Sequence, residues 1–193
     1  MNQPNYILSF DQTAAERAGG ASFDGGAHSG KIAEAKYVTA KSGTKGIELK
    51  FVSDGGQEFN YLTMYYSKSD NTPVKSGVNC LNAIMYFSGI PGITARQQGN
   101  DYICPELIGK RIGLFLQKRL YTKNDGSDGF DFSIRAPFAP DSRHTVKEAT
   151  NKLQPVAVAS WIESYADVDE RNKAGVTATS GGNGMPDFDD IPY

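Results

Sequence analysis

Apolar and polar residues alternate in three segments of the first third of the chain, and this alternation predicts β-strands. In the clearest segment, Ile47, Leu49 and Phe51 alternate with more polar neighbours, as expected for a strand with one buried face. Residues 59–66 (FNYLTMYY) are rich in side chains that favour strands, and residues 31–39 (KIAEAKYVT) alternate less regularly. The segments KSGTKG and DGG separate these strands and predict two tight turns.

The period of the pattern changes in the middle of the chain. Val78, Leu81, Ile84 and Met85 recur at helical spacing, so residues 78–87 are predicted to form a helix after a linker at residues 73–77. A glycine and a proline follow closely and are expected to end that helix.

Two more strands are predicted after the helix. Residues 110–121 (KRIGLFLQKRLY) form a long strand, and the turn sequence NDG leads to a last strand that contains residues 130–134. Pro137 and Pro140 are expected to close that strand. A short helix is predicted over residues 160–165.

The element order is therefore three strands, one helix and two strands. This is the order of the OB-fold, a five-stranded Greek-key barrel, so we predict an all-β domain with one helix. SH3-like barrels and irregular sandwiches share parts of the pattern and stay open. We predict an irregular N-terminal arm over residues 1–26, the OB domain over residues 27–163, and a flexible acidic tail over residues 164–193.

Composition adds a charge asymmetry to this picture. The chain has 193 residues and a net charge of −2, which suits one domain plus an appendage. Residues 164–193 hold six acidic and two basic residues, so the first 163 residues hold 18 basic and 16 acidic ones. A mildly basic body with an acidic tail is typical of interaction tails, although the weak excess does not by itself indicate nucleic-acid binding.

The chain carries few signs of catalysis or secretion. Cys80 and Cys104 are expected to be reduced core thiols, and we expect a cytoplasmic protein without a signal peptide or a membrane span. His28 and His144 do not lie at metal-ligand spacing, and the sequence contains no P-loop. We therefore expect a non-enzymatic protein that needs no cofactor or metal. A small hydrolase or nuclease that uses scattered carboxylates is a weaker alternative; its candidates are Glu48, Asp54 and Glu58.

Aromatic and basic residues share one face of the strand at residues 110–121. Phe115 alternates with Ile112, Leu114 and Leu116, so it is expected to be exposed between Arg111 and Arg119 if the aliphatic side chains fill the barrel. Aromatic rings among cations are what proteins use to hold single-stranded nucleic acid. The alternative is that the N-terminal arm covers this ring.

Further residues of the same chemistry are predicted on the second and third strands, at the turn between the first two strands and beside the turn between the last two. Tyrosine suits a half-wet stacking surface, and lysines beside turns can follow a phosphate backbone. In an OB-fold, the first and last of these hairpin loops border the binding face. The complete set of predicted DNA-binding residues is Lys41, Lys45, Lys50, Tyr61, Tyr65, Arg111, Phe115, Lys118, Arg119 and Lys123.

The segment DFDDIPY near the C-terminus resembles the acidic tip of bacterial single-stranded-DNA-binding proteins, with tyrosine in place of the last phenylalanine. The body is similar to phage-encoded single-stranded-DNA-binding proteins in its element order and in segments such as KGIELKF and GKRIGLFLQKRLY. The resemblance implies that the tip docks partner proteins of replication, recombination or repair. The tip residues are Asp187, Phe188, Asp189, Asp190, Ile191, Pro192 and Tyr193.

The sequence thus predicts a protein that binds single-stranded DNA with little sequence preference, in the host cytoplasm if a phage encodes it. A different class of protein stays open. An interaction or assembly protein on a β-barrel or sandwich would carry a coincidental acidic tail and expose an apolar patch for self-association.

Overall fold

The computed structural model describes residues 24–171, and strands dominate this range. Its strands are β1 (Gly26–Thr39), β2 (Lys45–Ser53), β3 (Glu58–Ser67), β4 (Arg96–Gln98), β5 (Asp101–Ile103), β6 (Arg111–Thr122), β7 (Asp128–Phe138) and β8 (Val168–Asp169). Its helices are α1 (Lys75–Ser88), α2 (Val146–Asn151) and α3 (Ala157–Glu163). The mostly β character predicted from the alternation pattern is confirmed.

The strands form one mostly antiparallel sheet organised around β1. The second half of β1 pairs with β2, and its first half pairs with β6. Strand β2 also pairs with β3, and β6 pairs with β7. The short hairpin β4–β5 joins β1 where Lys36 faces Ile103. Strand β8 runs parallel to β6 and pairs with Arg119 and Leu120.

The main core lies between the inner face of this sheet and α1. Its fully buried side chains include Ile32, Ile47, Leu49, Phe51, Phe59, Leu62, Met64, Ile84, Leu107, Ile112 and Leu114. Each large apolar side chain contributes about 1.5–3 kcal/mol when fully buried. The alternation in β2 and β6 therefore predicted the inward face of both strands correctly.

A second, smaller core lies on the other face of β6 and β7. Phe115, Phe138 and Val158 form its buried centre, and Trp161 and Tyr165 pack against it. Helix α3 and the residues after it thus cover the outer side of the β6–β7 pair.

Helix α1 begins at Lys75, inside the segment predicted to be a linker, because Gly77 lets it approach β3 closely. A Cβ atom at Gly77 would overlap the backbone carbonyl of Tyr65. At its other end, the helix finishes at Gly89, which adopts a left-handed conformation with φ 64°.

Strand β7 continues through Pro137 instead of ending there. Pro137 faces Leu114 of β6, and β7 pairs with β6. Proline is tolerated in a strand whose N–H side needs no sheet partner.

Two other boundaries differ from the sequence prediction. The β4–β5 hairpin was missed because its strands are three residues each and largely polar. The flexible tail was expected from residue 164, but residues 164–171 pack on β6 and belong to the folded domain. Residues 1–23 and 172–193 lie outside the described range.

The two cysteines, Cys80 and Cys104, are free and buried, as the sequence predicted. Within residues 24–171, none of the helices combines the length and the apolar character that a membrane crossing requires.

Candidate nucleic-acid interface

The solvent-facing side chains of β1, β2 and β3 form a surface that we call the outer face. Because alternate residues of a strand point to opposite sides, the residues between the buried ones point outward here. Cross-strand pairing places Lys36 beside Glu48, and Glu48 beside Thr63. The outer face comprises Lys36, Glu48, Lys50, Tyr61, Thr63 and Tyr65.

Two tyrosines project from the outer face for different local reasons. Tyr65 pairs with Gly46, and a Cβ atom at Gly46 would lie 3.0 Å from Cδ1 of Tyr65, so the ring lies across the glycine. Tyr61 lies at a β-bulge, where the pairing shifts between Leu49 and Phe51. The backbone of Tyr61 has φ 61°, and its side chain is 78% exposed.

The Tyr61 geometry is costly and therefore informative. A non-glycine residue held at positive φ costs of order 1–3 kcal/mol, and such strain concentrates at functional sites. The bulge re-aims the ring away from the sheet instead of burying it. Tyr61 is thus an aromatic ring presented to solvent at a local energetic cost.

Charges between the two tyrosines are largely balanced. Lys36 Nζ lies 3.1 Å from Glu48 Oε1, and Lys50 Nζ lies 3.0 Å from Glu58 Oε2. The hydrogen bond that each lysine donates to its glutamate raises the pKa of the lysine. A shallow groove of about 170 Å³ runs past these pairs and ends at Tyr61. Glu34, which faces Lys50 across β1 and β2, also lines this groove, so the centre of the outer face offers rings and a groove but no net positive charge.

Positive charge accumulates at the end of the outer face, where two turns meet. These are the β1–β2 turn (residues 40–44) and the β3–α1 turn (residues 68–74). We call the two turns, together with the lysines in and beside them, the lysine turns. A Cβ atom at Gly43 would lie 2.8 Å from the Cβ atom of Ser69, so the two turns are in contact. Lys45 Nζ donates to Asn71 Oδ1 at 3.0 Å and ties them together. The lysines of this region are Lys41, Lys45, Lys68 and Lys75.

These four lysines are not neutralised by close ion pairs within the described range, although Lys68 interacts electrostatically with Asp70 of the same turn. None of them forms a salt bridge with any residue from 24 to 171. The nearby Asp70 accepts the backbone N–H of Thr72 at 2.8 Å, and hydrogen bonds from Thr72 lower the pKa of its carboxyl group. The lysine turns are therefore a net positive surface beside the ring of Tyr65.

The predicted exposure of Phe115 is wrong. Its side chain is 6% exposed, and its ring packs against Trp161 at 5.5 Å and Tyr165 at 5.9 Å between ring centroids. The alternation was interpreted correctly, since Phe115 does point away from the main core. A second layer of structure, which includes α3 and the residues that follow it, covers that face. Phe115 cannot stack on a base in this position.

The arginines on either side of Phe115 were also predicted to bind DNA, and each is bonded to carboxylates. Arg111 contacts Asp141 and donates to Asp54 Oδ2 at 2.7 Å. Those bonds raise the pKa of Arg111. Arg119 contacts Asp131 of β7, and its Nη1 lies 3.5 Å from Glu170 Oε2. Such pairs fix the strands and leave little charge for a phosphate group.

Residues 165–171 lie along β6 and account for part of this neutralisation. The side chain of Gln117 donates to the carbonyl oxygen of Ala166 at 2.7 Å. The backbone N–H of Glu170 donates to the carbonyl oxygen of Leu120 at 2.8 Å. Lys118 Nζ lies 3.9 Å from Asp167 Oδ2, and its side chain is only 14% exposed. An acidic segment thus covers the strand whose basic residues were predicted to contact DNA.

The remaining predicted lysines have different settings. Lys123 is exposed at the β6–β7 turn, remote in sequence from the lysine turns. Lys41 and Lys45 belong to the lysine turns, and Lys50 belongs to the outer face. The structure therefore brings Lys41, Lys45, Lys50, Tyr61 and Tyr65 into one region.

The carboxylates proposed for a hydrolytic site do not converge. Glu48, Asp54 and Glu58 are each engaged by a different basic residue. In the described part of the chain, no group of three or more His, Cys, Asp or Glu side chains is arranged to hold a metal ion.

Sequence reasoning missed Lys68 and Lys75. Both belong to a connection that looked like an ordinary linker. The two turns form one patch because Gly43 lies against Ser69, and a linear sequence does not show that contact. The residue types carried part of the signal, since Lys41 and Lys45 lie at a predicted turn and Lys75 lies within the predicted linker.

Comparison with known proteins adds no assignment, since neither a protein-family model nor a curated protein matches this chain. The predicted partner-docking residues lie outside the described range. They are Asp187, Phe188, Asp189, Asp190, Ile191, Pro192 and Tyr193.

Proposed function

We propose that this protein binds single-stranded DNA without enzymatic activity and with little sequence preference. The observation that carries the proposal is that outward-facing tyrosine rings share one face with lysines that form no salt bridge with any residue from 24 to 171. Tyr61 and Tyr65 offer faces for bases, and the lysine turns offer charge for phosphates. Stacking accepts any base, so this chemistry favours binding over sequence reading.

The connectivity of the sheet supports an OB-type barrel as the scaffold. Strand β1 pairs with β2 in one half and β6 in the other, and α1 lies between β3 and β6 in the chain. The rings of Phe59 on β3 and Phe132 on β7 pack edge to face at 5.0 Å, so these strands approach across the core. In OB-folds, the face formed by the second and third strands, with nearby loops, binds oligonucleotides. Here that face is the outer face.

A role in replication, recombination or repair, in a phage-infected host, is part of the same proposal. It depends on the resemblance of DFDDIPY to the acidic tip of bacterial single-stranded-DNA-binding proteins. Immobilised DFDDIPY peptide should retain replication or recombination proteins from a host lysate, whereas a peptide with Tyr193→Ala should retain less. Equal retention by both peptides would remove this part of the proposal.

Titration of the full chain with labelled oligo-dT of increasing length tests DNA binding directly. Each neutralised phosphate contributes roughly −0.7 to the log–log salt slope for a single strand, so four lysines predict about −3. Affinity should therefore fall roughly 50-fold between 50 and 200 mM salt. A duplex of equal length serves as the control and should bind more weakly, because its bases cannot reach the rings. Salt-independent affinity would contradict the proposal.

A specific observation also favours the alternative of an interaction or assembly protein. Leu153, Val156 and Ile162 are 51%, 65% and 43% exposed near α3. Neighbouring exposed apolar side chains can mark a protein-binding surface. If the chain binds no oligonucleotide but self-associates, and Val156→Ser with Ile162→Ser abolishes the association, the alternative is correct.

A further inference from the structure

A groove between α1 and the ends of β1 and β3 lies beside the lysine turns. Its volume is about 280 Å³, and its lining residues are Tyr37, Tyr66, Val78, Leu81, Asn82, Met85 and Ile93. Pockets for drug-sized ligands start at about 300 Å³, so this groove suits a single ring system. The side-chain amide of Asn82 and the two phenol groups supply the polar atoms of an otherwise apolar lining.

Two tyrosine rings form a wall that is fixed before any ligand arrives. Tyr37 and Tyr66 both pack against the main core. Burial raises the pKa of both tyrosines, so both phenols stay neutral. A preorganised wall of this kind loses little side-chain entropy when a flat ligand binds.

Asn82 places a hydrogen-bond acceptor in this lining. Its Nδ2 donates to the carbonyl oxygen of Val78 at 2.8 Å, which leaves Oδ1 without a hydrogen bond among the described residues. A few placed polar groups in an apolar lining are what orient a ligand. Unstacked bases are recognised through their Watson–Crick edges, which carry N–H donors.

The groove continues directly from the proposed interface. Tyr65 and Tyr66 are neighbours on β3 and point to opposite sides, Tyr65 to the outer face and Tyr66 into the groove. Lys75 and Val78 lie one turn apart on α1, so Lys75 is on the same side of the helix as the groove. A DNA strand that crosses the end of β3 would pass from Tyr65 to Tyr66, with lysines on both sides.

We propose that this groove is a subsite for one unstacked nucleobase of a bound single strand. The base lies against Tyr37 and Tyr66 and donates a hydrogen bond to Oδ1 of Asn82, while its flanking phosphates meet Lys68 and Lys75. The inference rests on the proposed function, because it assigns a second binding element to the same interface. Charge complementarity favours this occupant, since a base in a strand carries a phosphate on each side.

A groove-filling variant tests the subsite. Val78→Trp fills the groove, and Asn151→Trp, at an exposed position of α2 outside the proposed interface, is the control. Full-length protein is cross-linked by ultraviolet light to oligo-dT carrying one 5-iodouracil, and the labelled peptides are identified by mass spectrometry. Wild type and Asn151→Trp should cross-link at Tyr37 or Tyr66. In Val78→Trp these cross-links should disappear and oligo-dT affinity should fall about 5- to 20-fold, with an unchanged thermal unfolding curve.

Other outcomes overturn the inference in distinguishable ways. If wild type binds oligo-dT but cross-links only at Tyr61 and Tyr65, the proposed function stands and the subsite is wrong. If wild type binds no oligonucleotide, both fall. If Val78→Trp leaves oligonucleotide affinity unchanged but abolishes binding of a DFDDIPY peptide, the groove holds the acidic segment and not a base. If Val78→Trp does not fold, Asn82→Leu serves as a second test. It must then reduce oligo-dT affinity by the amount expected for Val78→Trp.

Discussion

The β6–β7 pair and the lysine turns both carry basic residues beside aromatic rings, yet their basic residues have different partners. On the β6–β7 pair, Arg119 contacts Asp131 and Glu170, and Phe115 lies beneath α3. At the lysine turns, Lys41 and Lys75 form no salt bridge with any residue in the range 24–171.

The comparison shows what separates a structural cation from a candidate ligand-binding one. Both regions place basic side chains near aromatic rings. The difference is whether a distant segment supplies a carboxylate or a cover, as residues 165–171 do for β6. A cation that already has two protein carboxylates gains little from a phosphate group, because that phosphate must first displace them.

The largest expected effect is that of Phe115→Ala on stability. Removing a buried phenylalanine side chain costs about 3–5 kcal/mol in free energy of unfolding, which urea denaturation would measure. Oligo-dT affinity of the folded fraction should be unchanged. Phe130→Ala, at a ring that is 49% exposed, is the control and should cost less. If Phe115→Ala keeps wild-type stability but binds DNA more weakly, the contrast between the β6–β7 pair and the lysine turns is wrong.

Neutralising the lysine turns should have the next largest effect. Lys41→Gln, Lys68→Gln and Lys75→Gln together should weaken oligo-dT binding roughly 10- to 100-fold at low salt and reduce the salt slope by about 2. These lysines contribute through phosphate neutralisation, so fluorescence anisotropy at several salt concentrations measures the effect.

A matched triple removes the same charge elsewhere. Lys110→Gln, Arg143→Asn and Lys152→Asn change residues outside the proposed interface, and asparagine suits the positive φ of the last two positions. Equal weakening by both triples would mean that net charge, rather than the lysine turns, controls binding.

Tyr61→Gly should separate stability from binding. Glycine relieves the strain of φ 61°, so stability should rise by about 1 kcal/mol despite the greater freedom of the unfolded chain. Oligo-dT affinity should fall by the stacking contribution, about 1–3 kcal/mol. Thermal unfolding and anisotropy measure the two effects. If Tyr61→Gly lowers the stability and leaves the oligo-dT affinity unchanged, the role of Tyr61 is structural.

The smallest expected effect concerns Glu148, which holds the cover over Phe115 in place. Its carboxylate accepts the backbone N–H groups of Val156 at 2.9 Å and Ala157 at 2.8 Å, at the start of α3. Burial acts to raise its pKa, but these bonds and those from Thr145 lower it below the ordinary value of 4.5. Glu148→Gln should cost about 1–3 kcal/mol at pH 7.

The pH dependence of that cost follows from the direction of the pKa shift. A lowered pKa means that the ionised form stabilises the fold fully above pH 4.5, and that this contribution is lost as pH falls through the lower folded-state pKa. The difference between wild type and Glu148→Gln should therefore shrink below pH 4.5. A constant difference down to pH 3 would contradict this account.

Much of the domain could be predicted from local patterns. Strand β6 was placed within one residue at each end, and the helical stripe of Val78, Leu81 and Ile84 located α1. Local patterns failed where short polar strands or a long-range contact decided the structure. The β4–β5 hairpin and the start of α1 at Lys75 are examples.

The candidate site was only partly predictable for the same reason. Tyr61 and Tyr65 were predicted from residue type on the third strand, and Lys41 and Lys45 from their place at a turn. The fold brings these residues to one side of the sheet. The sequence does not reveal that Tyr61 lies on a bulge, since a bulge is a property of two paired strands.

By itself, the sequence determined which residues of β2 and β6 point into the main core, because alternation has a period of two and burial of apolar side chains enforces it. It also determined which tyrosines and lysines are available on the strands and in the turns. Only the tertiary structure decided which outward residues stay accessible. Phe115 and Arg119 are covered or paired by segments distant in sequence, whereas Tyr61 and Lys75 meet no such segment in the described range. Exposure depends on what packs across a face, and strand periodicity carries no information about that packing.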